Sequence, residues 1–162
     1  MADDALALKI KTDALRLLSF RPRSVEELRR RLGLKKYPAD AVSNVIALLT
    51  KQGVLNDELF AKVFSHSKVY SRPVGKRQLE IELKKKGVPA PLIQKTLGEL
   101  GDYDEKKIAK DLVRGRFLKM AGIAEEKKKM RLFGFLKRRG FSNDAIFSVI
   151  NDLFKETEGF GE

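Results

Sequence analysis

Nine basic residues have the types and spacing to do chemistry, and the chemistry is anion binding. Lys84, Lys85 and Lys86 stand just before Gly87, and Lys137, Arg138 and Arg139 stand at the matching place before Gly140. Arg72, Lys76 and Arg77 lie shortly upstream of the first triplet. Ammonium and guanidinium groups give charge-assisted hydrogen bonds to phosphate and carboxylate oxygens. One or two cations in a last helical turn answer the negative end of the helix dipole. Two triplets in matching places exceed that need and would display evenly spaced basic knuckles, so capping and contact both remain open readings.

Residues for bond-making chemistry are not assembled. His66 is the single histidine, and one histidine builds neither a triad nor a multi-histidine metal site by itself. Cysteine is absent, which removes disulfides, a thiol nucleophile and thiolate metal ligation. Asn56-Asp57-Glu58 could suggest acid–base work, but adjacent acids at a helix start read as a cap. There is no Walker-type phosphate loop, Gly-x-Gly-x-x-Gly, Gly-x-Ser-x-Gly or HExxH pattern. No catalytic residue, metal ligand or cofactor is assigned, and the expectation is a binding protein rather than an enzyme.

The elements that must carry the basic residues are repeated helices. Leu79, Leu83 and Gly87 recur as Leu132, Leu136 and Gly140, and the leucine pair also appears as Leu28 and Leu32, at offsets of 51 and 53 residues. The register continues through Val42, Ile93 and Ile146, then Ile46, Leu97 and Ile150, then Leu49, Leu100 and Leu153. Steps of three and four residues put each set on one side of a helix. A leading helix precedes each pair, over Asp3–Ser19, Asp57–Tyr70 and Asp104–Lys119. Arg21-Pro22 and Arg72-Pro73 close the first two, because proline lacks the N–H and blocks the preceding turn. The expected fold is all-α: three tandem three-helix repeats, 1–55, 56–103 and 104–156, forming an elongated, curved helical array, with 157–162 a frayed C-terminus. One such repeat is marginal alone, and stacking on neighbours adds buried area.

Composition agrees. The chain has 162 residues, 35% charged and 43% hydrophobic, as suits a soluble helical protein. No apolar run is long enough for a membrane span, and the acidic start lacks a signal-peptide layout, so a cytoplasmic protein without membrane contact is expected. Net charge is +12, divided as +5, +3 and +4 among the repeats. Positive charge along the whole length favours a polyanion or an acidic partner surface.

Local signals refine the elements. Dense apolar positions suggest that the first helix is covered on two sides or by a partner. Ser24-Val-Glu-Glu27 has the layout of a capping box. Asp102 and Glu105 could form another. Phe60, Val63 and Phe64 read as core. So do Phe133, Phe135, Phe141, Phe147 and Phe154, although aromatics among basic residues can also stack on bases. Gly115 inside a helix suggests a bend or a close contact.

Three stretches carry a family resemblance: Ala14-Leu-Arg-Leu-Leu-Ser-Phe-Arg-Pro-Arg-Ser-Val-Glu-Glu-Leu28, Gly53-Val-Leu-Asn-Asp-Glu-Leu-Phe-Ala61 and Glu82-Leu-Lys-Lys-Lys-Gly-Val88. Together they resemble the RecX regulatory proteins, and the resemblance runs from about residue 14 to 154. The family's usual glycine-proline turn reads here as Arg72-Pro73-Val74-Gly75. The resemblance implies a modulator of the RecA recombinase in recombination, repair and the SOS response. Such a protein would bind the RecA filament and the single-stranded DNA within it, with free DNA a further expected ligand. It would restrain strand exchange, ATP turnover and co-protease activity, and act as a monomer. Arg72, Lys76, Arg77 and the two triplets are then the expected contacts to phosphate or acidic recombinase surface. The alternative is a helix-turn-helix-like nucleic-acid binder that works without recombinase.

Overall fold

The computed structural model describes residues 2–100 and 103–158. Among them are nine α-helices and no strand. In order these are α1 (Ala2–Phe20), α2 (Val25–Gly33), α3 (Ala39–Lys51), α4 (Asp57–Ser71), α5 (Lys76–Lys85), α6 (Ala90–Gly98), α7 (Glu105–Leu118), α8 (Glu125–Arg138) and α9 (Asn143–Glu158). The proline signals act where expected: α1 stops two residues before Pro22, and α4 stops two before Pro73. Helix α9 carries on to Glu158, so Thr157 and Glu158 are helical, while 159–162 lie outside the described residues.

The recurring apolar register is the core. Leu28, Leu79 and Leu132 are fully buried, as are Leu32, Leu83 and Leu136. The positions that follow are buried in all three repeats: Val42, Ile93 and Ile146, then Ile46, Leu97 and Ile150, then Leu49, Leu100 and Leu153. Each helix hides one stripe, and removing that apolar area from water is the main driving force.

The chain divides into two compact units, and the division runs through the middle repeat. Unit 1 comprises Met1–Phe64 and Glu82–Thr96. Helices α1, α2 and α3 pack together there around Ile10, Ala14, Leu28, Leu32, Val45 and Leu49. Unit 2 comprises Ser65–Ile81 and Leu97–Glu162. There α7 and α8 pack on α9 around Val113, Phe117, Leu132, Leu136, Phe141, Ile146 and Leu153.

Each unit contains one copy of the same helix-end joint. In unit 1 the N-cap of α2, Ser24, donates its hydroxyl to the carbonyl of Lys86, just past the end of α5. In unit 2 the amide of Gly75, at the start of α5, donates to the carbonyl of Arg139 past the end of α8, 2.8 Å away. The receiving turn closes each time with a left-handed glycine, Gly87 (φ 76) or Gly140 (φ 78). That conformation suits glycine, and the approach of the second helix makes it obligatory. A Cβ on Gly87 would lie 2.4 Å from the Cβ of Glu26, and one on Gly140 would lie 2.6 Å from the backbone nitrogen of Gln78. At the corresponding place in the first repeat, Lys36 adopts the same turn (φ 59) but is exposed, so a side chain is accommodated.

Several local expectations are corrected. Within this chain helix α1 buries one side, with Ile10 and Ala14 buried and Leu8 and Leu15 exposed, so the chain itself does not cover it on two sides. Val63 and Phe147 are exposed rather than core. Gly115 has nothing near its missing Cβ, so no close contact explains it. Asp102 lies outside the described residues; Asp104 caps α7, accepting from the amides of Lys106 and Lys107 at 3.0 Å.

Alanine at the joints tests this geometry. Gly87→Ala and Gly140→Ala should each cost ~2–4 kcal/mol in urea unfolding, combining left-handed strain with overpacking. Gly53→Ala, where φ is 71 and the surroundings are open, should cost only ~1–2 kcal/mol. Equal losses at all three sites would show that the helix approach adds nothing.

Candidate functional site

The basic triplets sit on the joints, and each divides into two exposed residues and one structural residue. Lys84 and Lys85 are exposed at the end of α5, and the carbonyl of Lys85 accepts from Arg30 Nη2 at 3.1 Å. Lys86 is half-buried, with its Nζ 3.6 Å from Glu27 and its carbonyl taken by Ser24. In the other triplet Lys137 and Arg138 are exposed, and Lys137 Nζ donates to Asn143 Oδ1 at 2.7 Å. Arg139 is half-buried: its Nη1 donates to the carbonyl of Pro73 at 3.1 Å, and its own carbonyl accepts from Gly75. Within each triplet the third residue is held at the joint, and the first two stay exposed to solvent.

The structure brings the 72–77 segment to the second triplet. Pro73 and Gly75 are the residues bonded to Arg139, so Arg72, Lys76 and Arg77 flank that joint, all three exposed. Lys76 Nζ lies 6.0 Å from the ring centre of Tyr103. The Tyr103 hydroxyl donates to the carbonyl of Val74, which pins the loop from below, and burial followed by the charge of Glu105 pushes its phenol pKa up. Lys84, Lys85 and Lys86 belong to unit 1, the other six expected residues to unit 2.

Carboxylates fix the helix starts that dock at the joints. Asp57 Oδ1 accepts from the amide of Val25 at 2.8 Å, a donor that α2 itself cannot satisfy. Burial raises the Asp57 pKa, with partial relief from that amide. Asn56, not Asp57, caps α4, accepting from the amide of Leu59 at 3.0 Å. Glu105 is the counterpart in unit 2. Its Oε1 accepts from the amides of Lys76 and Ser142 at 3.3 Å, and its Oε2 accepts from the Ser142 hydroxyl at 2.7 Å. Ser24 caps α2 as the capping box requires, at 3.1 Å from the amide of Glu27. Glu27 does not complete the box. It pairs instead with Arg21, with Arg23 at 2.9 Å and with Lys86. Burial alone would raise its pKa; Arg21, Lys86 and Arg23 outweigh that and hold it below the usual glutamate value.

Sequence reasoning missed Arg116. This exposed residue of α7 lies over the ring of Phe135, 4.1 Å from its centre, and Arg139 lies over the same ring at 5.2 Å. Only the cation-rich composition of α7 hinted at it.

His66 is exposed, and no group of acids and histidines able to hold a metal occurs among the described residues. No described helix is long and apolar enough to cross a membrane. A cleft of about 230 Å³ lined by Leu18, Pro22, Arg23, Val54, Asn56, Leu59, Phe60 and Val63 carries one cation and no acid–base pair. What the site offers is exposed positive charge, set on helix ends that are rigidly jointed.

An all-α protein of three tandem three-helix domains, with cations at its helix ends, is what the fold and the surface define. Comparison with known proteins gives the family. The RecX first three-helix domain matches residues 11–49, the second matches 56–97 and the third matches 102–150. Among curated relatives, the regulatory protein RecX of Streptomyces coelicolor is 32% identical over 152 residues, covering 91% of this chain and 81% of that protein. That of Mycolicibacterium smegmatis is 35% identical over 153 residues, with the same coverage. The crystal structure of RecX from Lactobacillus salivarius superimposes with a TM-score of 0.84 at 22% identity, over 94% of this chain and 98% of that one. The chain belongs to the RecX family of regulatory proteins.

The Glu27 cluster makes a pH prediction. A carboxyl whose folded pKa is depressed stabilises the fold above its unfolded value of 4.5, and that contribution is lost as pH falls through the lower folded value. Glu27→Gln should therefore cost ~1–3 kcal/mol at pH 7 in urea unfolding. The gap to the unaltered protein should close as pH drops below 4.5. A gap that persists undiminished at low pH would assign the loss to shape rather than charge.

Proposed function

We propose that this protein regulates a RecA-type recombinase by binding the filament that the recombinase forms on single-stranded DNA. In this reading the outcome is inhibition of strand exchange, ATP turnover and co-protease activity. The observation that carries it is the repeated display: two exposed basic pairs, Lys84–Lys85 and Lys137–Arg138, at equivalent helix ends of successive repeats. Family membership supports the choice of a recombinase, and the net charge of +12 supports a polyanionic or acidic target.

The mechanism rests on multivalency. A filament presents the same surface at each subunit, and a repeat protein presents the same helix end more than once. Weak contacts joined in one chain act at high effective concentration, so the sum is tighter than any part. A protein holding neighbouring subunits in this way would hinder filament extension and the conformational cycle that accompanies ATP turnover. Arg72, Lys76 and Arg77 add charge beside the second pair. The protein works as a cytoplasmic monomer and contributes no catalytic group of its own.

The test uses the exposed pairs and spares the structural residues Lys86 and Arg139. Lys84→Glu, Lys85→Glu, Lys137→Glu and Arg138→Glu should together raise the concentration needed for half-inhibition of recombinase ATP turnover on single-stranded DNA at least ~10-fold, a loss of ~1.4 kcal/mol or more. Helicity by circular dichroism should stay unchanged. Full inhibition by the charge-reversed protein would remove these residues from the contact.

A further inference from the structure

The cleft of unit 1 opens between the end of α1, the turn at Pro22 and the start of α4. Its volume of about 230 Å³ is below the ~300–1,000 Å³ usual for a pocket that encloses a small ligand, and it has room for one large side chain. Phe60 lines it from the core, while Val54, Leu59 and Val63 line it yet stay 46–59% exposed. Leu18 lines the α1 side, and Leu15, one turn earlier, is exposed. Arg23, the one cation of the lining, is already engaged. Its Nε donates to the carbonyl of Leu17 at 3.1 Å and its Nη1 to Glu27 at 2.9 Å. Free charge belongs to the flanks instead. Lys11 stands four and seven residues before Leu15 and Leu18, on their face of α1, and the exposed Lys51 stands three before Val54. Neither lysine pairs with a carboxylate among the described residues. The acids beside the cleft are taken: Glu27 by Arg21, Arg23 and Lys86, and Glu58 by Lys62 and Lys95 at 3.1 and 2.8 Å.

We infer that this cleft receives a helix of another protein, anchored by one bulky apolar side chain and flanked by acidic residues. Leu15 and Leu18 on α1, and Leu59 and Val63 on α4, are apolar pairs one helical turn apart. Such pairs form the ridges between which a further helix can lie. No strand occurs among the described residues, so an extended peptide finds no sheet edge to join. With no free charge inside, the cleft takes the apolar anchor, and the partner's acids fall outside it. There they complement Lys11 and Lys51, which would repel a basic helix. The inference uses none of the nine basic residues discussed above, and it stands or falls separately from filament regulation.

The test follows the whole protein by methyl NMR during titration with an alanine-based helical peptide that carries one central phenylalanine between glutamates. The methyl signals of Leu18, Leu59 and Val63 should shift. Replacing the phenylalanine by alanine should weaken binding at least ~10-fold, because the anchor no longer fills the cleft. Replacing the glutamates by lysines should weaken it at least ~5-fold at low salt. Leu59→Glu in the protein should weaken binding of the phenylalanine peptide at least ~10-fold, because a charge then stands in the cleft. Leu34→Glu, at an exposed leucine outside the cleft, should bind like the unaltered chain. Matching urea midpoints confirm that both variants are folded, and the peptide arms decide the matter without any change to the protein. The inference is overturned if the phenylalanine peptide shifts no cleft methyl, if the alanine or lysine peptide binds equally well, or if Leu59→Glu binds undiminished. A concentration-dependent dimer that Leu59→Glu abolishes would also overturn it, because the occupant would then be a second copy of this chain.

Discussion

The joint between helix ends is the interaction on which the rest of the structure depends. An α-helix leaves its first N–H groups and its last carbonyls without partners inside the helix. Here the start of one middle helix is set against the turn that ends the next, once in each unit. Ser24 and Gly75 supply the donors, and the carbonyls of Lys86 and Arg139 accept them. Carboxylates from the leading helices, Asp57 and Glu105, take the following amides. Positive and negative dipole ends face each other, which adds to the hydrogen bonds.

This constraint explains the chemistry at the surface. A left-handed glycine is needed to let the incoming helix approach, so Gly87 and Gly140 are followed by hydrophobic residues that turn back into the core, Val88 and Phe141. The residue before each glycine is locked by the joint. The two before that remain exposed, and in both joints they are cations. Exposed positive charge is thus placed beside backbone that the joints hold by hydrogen bonds, and its position is specified without a dedicated pocket. In unit 2 the joint also fixes Arg139 over Phe135, where Arg116 meets it.

Much of the fold was legible in the sequence because the register is strict. All fifteen repeated apolar positions, from Leu28 to Leu153, are buried. The cap at Ser24 and the proline stops were legible too, since they depend on residues within a turn of one another. The joint was not. Asp57 is 32 residues from its donor Val25, and Ser24 is 62 from Lys86. Periodicity reports which face of a helix is apolar, not which helix end will meet another. The same blindness misplaced Glu27, whose partners include Lys86. It also put Val63 and Phe147 in the core, although both are exposed, Phe147 with its ring centre 5.5 Å from that of Phe133. Arg116 escaped notice because its partner ring lies on another helix.

The amides of Val25 and Gly75 report most directly on the joints. Both stand at the start of a helix, where an amide ordinarily has no acceptor and exchanges with solvent readily. Native-state hydrogen exchange followed by NMR should find both as slow as amides in the helix interiors, because Asp57 and Arg139 hold them at 2.8 Å. Exchange at the rate of an open loop amide would contradict the claim that these helix-end contacts organise the protein.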